Sequence, residues 1–126
     1  MKTYDPDKTP DAGDWLGTDE RLRIELVKSY HRRARVRLPN PRLHATFHVI
    51  VENQLALADP IVVETLARLQ REGLNRHDAV HAIGSVLAEH IYELLKAGPA
   101  PARVDPNAAY GEGLKKLTAA TWRNAG

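Results

Sequence analysis

Cysteine is absent from this 126-residue chain. Disulfides, thiolate ligands and cysteine nucleophiles are thereby excluded, any bound metal must be held by nitrogen and oxygen, and a reducing cytoplasm suits the composition. Aromatic residues are scarce at 6%, with one Phe and two Trp, and they offer no platform of the kind on which single-stranded nucleic acids stack. No apolar run approaches the roughly 20 residues that cross a bilayer, and the opening MKTYDPDKTPDAG has no apolar core of the signal-peptide kind. A soluble, unexported protein is expected. No repeat of solenoid length and no alternating β pattern occurs, so with 43% hydrophobic residues one all-α domain, a small bundle of about four helices, is the economical expectation.

What is present divides into three regions. Residues 1–13 are polar, with Pro6 and Pro10 and little to bury, and read as a flexible arm. Residues 14–97 carry the helical patterns. Thr18 before Asp19 and Glu20 reads as a cap with acids in the first turn, and Leu22, Leu26, Val27 and Tyr30 follow at helical spacing to about Arg35. Asn40-Pro41 and Asp59-Pro60 each pair a capping side chain with the preset φ of a first-turn proline, opening helices over 41–57 and 60–71, and Gly73 suits the left-handed residue past a helix end. Asn75 with Asp78 resembles a capping box, opening a helix over 76–96. Residues 98–126 are a Pro/Gly-rich linker and a tail that either docks as a short helix or stays mobile.

The expected helix over 41–57 contains HATFHVIVENQ. It is apolar around most of its circumference, which belongs in a core, yet it carries His44, His48 and Glu52 at four-residue steps on or beside the buried face. A buried carboxylate needs a proton, a cation or a metal, and no Lys or Arg lies between Arg42 and Arg68 to serve Glu52 locally. That leaves histidine, a distant base or a metal. The helix over 76–96 supplies a second pair, His77 and His81. Imidazoles at i and i+4 point the same way and can chelate one ion. If successive helices are antiparallel, these two helices run parallel and bring the pairs to one level. A helical metal-binding protein follows, with His44, His48, His77 and His81 as ligands and Glu52 as a bridge to a second ion or as the partner orienting an imidazole. The ion would be zinc, iron, nickel or manganese.

Other readings stand beside this one. His77-Asp78-x-x-His81 resembles the zinc-hydrolase pattern, with Asp78 or Glu52 as general base, although Asp78 also serves as a capping acid. His31, in YHRRARVR, and His90, without a partner at i±4, read as surface or edge residues. The basic segment 21–42, with Arg32, Arg33, Arg35 and Arg37, offers a non-catalytic module for an anionic partner such as nucleic acid. That reading is disfavoured, because only Tyr30 is there to stack and basic residues late in a helix also satisfy its dipole. Exposed apolar faces on a short bundle would suit a homodimer.

The segments LPNPRLHATFHVIVENQLALADP and GLNRHDAVHAIGSVLAEHIYELL resemble a family of small uncharacterised bacterial proteins, domain of unknown function 1841, over about residues 14–96. The resemblance implies an H-x3-H preceding an acid and a Gln, matched by His44, His48, Glu52 and Gln54, and a later H-E/D-x-x-H, matched by His77, Asp78 and His81. Here Asp78 stands where many relatives have Glu. The resemblance lends weight to these residues and implies no particular reaction.

Overall fold

The computed structural model describes residues 1–34, 40–98 and 107–125. Among them are seven helices and no strand: α1 (Ala12–Leu16), α2 (Glu20–Arg33), α3 (Pro41–Ala56), α4 (Pro60–Arg71), α5 (Arg76–Ala97), α6 (Ala108–Lys116) and α7 (Ala119–Ala125). The protein is all-α. None of these helices is long and apolar enough to cross a membrane.

Local chemistry sets the helix starts. Asn40 accepts from the backbone N–H of Leu43, Asp59 from that of Ile61, and Asn75 from that of Asp78, each satisfying a donor that the first turn leaves unpaired. Pro41 and Pro60 sit at first-turn positions where no N–H is missed. The start of α2 differs from expectation. Asp19 is its cap, accepting from Arg21 N–H, while the hydroxyl of Thr18 donates back to the Asp14 carbonyl and closes α1. Gly73, at φ +104°, makes the turn after α4 that a side chain would strain.

The larger core lies among α3, α4, α5 and the C-terminal helices, where Val51, Val62, Leu69, Val80, Ile83 and Leu114 are buried together. Each such side chain contributes about 1.5–3 kcal/mol by leaving water. The C-terminal segment docks: Tyr110, Leu114, Leu117 and Ala119 are all buried, and a Cβ at Gly113 would come within 2.9 Å of Val86 Cγ1, so α6 lies against α5 where only glycine fits. His90, read as an edge residue, is buried here and stacks on Tyr110 with ring centroids 5.7 Å apart.

A second core joins Trp15, Leu26, Val27, Ala45 and Val49 to Tyr4. The N-terminal arm is therefore packed rather than loose, because Tyr4 has 2% of its surface exposed and Pro6 is also buried. Arg76 donates to the Pro6 carbonyl, and Asp7 accepts from the His77 N–H at the start of α5. Polar composition hid these anchors: two buried rings outweigh the solvated residues between them.

Helices α3 and α5 are not aligned in parallel. His44 meets His81 and Glu52 meets Arg76, whereas parallel helices with His44 and His81 level would separate the second pair by about 20 Å along the axes. Antiparallel alignment fails as well. A Cβ on Gly84 would stand 3.9 Å from Val51 Cγ2, and antiparallel helices would hold those residues about 15 Å apart. The two helices therefore cross at an angle, and the histidines gather at the crossing.

Candidate metal centre

Five imidazoles meet at that crossing. α3 supplies His44 and His48, one turn apart; α5 supplies His77 and His81, likewise; α2 adds His31. One ring nitrogen from each of His31, His44, His48 and His81 falls within a group whose members all lie within 4.8 Å of one another. His77 joins at its margin, with Nε2 3.0 Å from Nε2 of His81. His31 is the departure from expectation. It is 3% exposed, and its ring stacks on His81 at 5.5 Å and meets His44 edge-on at 4.7 Å. The sequence did hold a signal for it: His31 follows Val27 by four positions on the buried face of α2, and the surrounding arginines masked that register.

The protons on these rings can be traced. Nδ1 of His31 stands 2.9 Å from the Val27 carbonyl. A carbonyl only accepts, so Nδ1 carries the proton and Nε2 has the bare lone pair. At His48, Nε2 lies 2.7 Å from the Tyr4 hydroxyl, which donates its single proton to Glu52. Burial first, and then the neighbouring Glu52 carboxylate, hold the Tyr4 phenol well above its ordinary pKa and keep that proton on it. Nε2–H of His48 therefore donates to the Tyr4 oxygen, and Nδ1 is left with the lone pair. His31 Nε2 and His48 Nδ1 are buried nitrogens without hydrogen-bond partners among the described residues.

The remaining nitrogens are crowded. Nε2 of His81 lies 3.1 Å from Nε2 of His44 and 3.0 Å from Nε2 of His77. An imidazole nitrogen either donates one hydrogen bond or accepts one, so a single proton does not satisfy both approaches. Two imidazole nitrogens bound to one ion at roughly 2.1 Å stand about 3.0–3.4 Å apart. The two contacts of His81, to His44 and His77, have that spacing, while the four grouped nitrogens lie within the wider limit of 4.8 Å.

Burial lowers the basicity of the whole group. It pushes His44 down to about 4 and His81 to about 3, with the charges of neighbouring histidines adding to the effect. His48 falls well below its ordinary value for the same reasons, and His31 and His77 are lowered chiefly by burial. At neutral pH the rings are uncharged, the state that ligates a metal.

Glu52 stands behind His48 rather than among the grouped nitrogens. Arg76 grips both its oxygens, at 2.7 and 2.8 Å, with side-chain exposures of 4% and 1% for Arg76 and Glu52. The partner that the carboxylate needed is thus a distant base, Arg76, with the Tyr4 hydroxyl donating to Oε2 as well. Asp78 is outside the group, and its charge, like those of Asp5 and Asp7, favours protonation of His77. In the basic segment, Arg32 and Arg33 are exposed and Arg32 donates to Ser29; Arg35 and Arg37 lie outside the described residues. Tyr4 and Arg76 were invisible as site residues, since nothing local in the sequence ties an N-terminal arm or a first-turn arginine to His48.

No curated protein and no solved structure matches the chain. Residues 24–109 match the family described as Domain of unknown function (DUF1841), a span that takes in all five clustered histidines together with Glu52 and Arg76 and leaves Tyr4 outside it. The chain belongs to that family.

Proposed function

We propose that this is a metal-binding protein in which His31, His44, His48 and His81 hold one divalent ion and His77 supplies a fifth imidazole beside His81. The observation that carries this reading is the pair of buried lone pairs, on His31 Nε2 and His48 Nδ1, each left bare because the opposite ring nitrogen is tied to an acceptor. Metal-bound histidines are held in this manner, by a backbone carbonyl or a carboxylate system on the far nitrogen. Leaving two such buried atoms unpaired costs about 1–3 kcal/mol each, and a shared cation removes that cost. An all-imidazole set favours zinc, nickel or ferrous iron over manganese, which prefers oxygen. One ion is favoured over two because Glu52 is held by Arg76 and Tyr4.

Untagged protein purified without chelator is expected to carry close to one equivalent of such an ion per chain, and removing it should lower the melting temperature. Absence of metal together with no thermal shift on adding zinc, nickel or ferrous iron would overturn the proposal.

A further inference from the structure

A cavity of about 220 Å³ adjoins the histidine cluster, lined by His44, His48 and His81. The rest of its wall is hydrocarbon or small: Phe47 from α3, and Val80, Gly84 and Ala88 from α5, with the exposed Ser85 at its rim. His31 and His77 are not part of the lining, so the cavity reaches the cluster from one side. Along α5 it extends from His81 to Ala88, roughly 10 Å of helix.

Charge decides what belongs there. Imidazoles are neutral ligands, so an ion held by histidines alone keeps its double positive charge in a largely buried place, where uncompensated charge is costly. Glu52 is neutralised by Arg76. Asp5, Asp7 and Asp78 act on His77, which does not line the cavity, and no charged side chain lines it. The carboxylates therefore stand on the His77 side of the cluster; on the cavity side the ion would meet no anionic group, and the space through which one could reach it is walled by hydrocarbon.

We propose that the cavity binds a small organic anion whose head completes the coordination of the metal and whose apolar body lies against Phe47, Val80, Gly84 and Ala88. Carboxylates with a single ring or short hydrocarbon chain are the ligand class. The inference rests on the metal-binding reading, and cobalt(II) separates the two, because its visible absorption reports both occupancy of the site and a change of ligand. Cobalt-loaded protein is titrated with phenylacetate, acetate and the neutral phenylacetamide. Phenylacetate is expected to change the spectrum saturably and to bind at least about tenfold more tightly than acetate, which lacks the body, and than phenylacetamide, which lacks the charge. Ala88→Phe, which fills the far end of the cavity, and Ser85→Phe, which covers its rim from an exposed position, should each keep the cobalt and bring phenylacetate to the affinity of acetate. Cobalt uptake with phenylacetate no tighter than acetate or phenylacetamide overturns the ligand proposal and leaves metal binding standing, as does unchanged phenylacetate affinity in the folded variants. Failure to take up cobalt overturns the metal reading, and this inference falls with it.

Discussion

Tyr4 and His48, 44 positions apart in the chain, share a buried hydrogen bond of 2.7 Å. The phenol is the link between a charged pair, Glu52 and Arg76, and the histidine whose Nδ1 is buried without a hydrogen-bond partner among the described residues. Tyr4→Phe keeps the ring and its packing on Trp15, where the centroids are 5.4 Å apart, but removes the acceptor for His48 Nε2–H. The expected result is a loss of about 10–100-fold in metal affinity, measured by chelator competition, with helix content unchanged. Wild-type affinity in Tyr4→Phe would show that the phenol does not hold the tautomer.

His31 is the proposed ligand that its sequence context concealed. Its substitution by alanine is expected to remove as much metal as His48→Ala or His81→Ala, and the double variant His31→Ala/His81→Ala should be little worse than either single one, as for residues acting on one ion. Metal analysis of the purified variants checks this. Full occupancy in His31→Ala would take α2 out of the site.

The Glu52–Arg76 pair makes a separate prediction about stability. Removing one partner of a buried pair leaves an unpaired charge, so Arg76→Met should destabilise the metal-free protein by about 3–5 kcal/mol in urea unfolding. Adding Glu52→Gln to that variant removes the orphaned charge and should restore part of the loss. If the single and double variants unfold at the same urea concentration, the charge on Glu52 is not what makes the arginine necessary.

Acid should destabilise the metal-free fold. His44 and His81, at about 4 and about 3, bind protons less readily when folded than at their ordinary value of 6.5. Above 6.5 both rings are neutral in either state and the native fold keeps its full stability. As the pH falls below 6.5 the unfolded chain takes up protons first, so stability is lost progressively toward the folded values. Melting temperature of the metal-free protein should therefore drop between about pH 7 and pH 4, and the loaded protein should release its ion as protons compete for the same nitrogens. A flat profile across that range would mean that the histidines are not buried in the neutral state.

The helices were legible in the sequence because their causes are local. Asn40-Pro41 and Asp59-Pro60 announce α3 and α4 through interactions spanning a few residues, and the four-residue steps from His44 to His48 and from His77 to His81 follow from helical periodicity alone. Thr18 was misread as the cap of α2 for an equally local reason: Asp19, its neighbour, is as good a capping residue and lies one position closer to the first turn.

The site itself was settled by contacts that no spacing encodes. Whether α3 and α5 run parallel or cross depends on how Val51 seats against Gly84 and on where Arg76 finds Glu52, and both are packing outcomes summed over the whole core. The sequence by itself determined that two histidine pairs would lie on helices and that Glu52 would need a partner. Only the tertiary structure decided that the partner is Arg76, that Tyr4 returns from the arm to orient His48, and that His31 turns inward to join them, because each of these depends on burial and pairing across tens of residues rather than on the turn in which the residue sits.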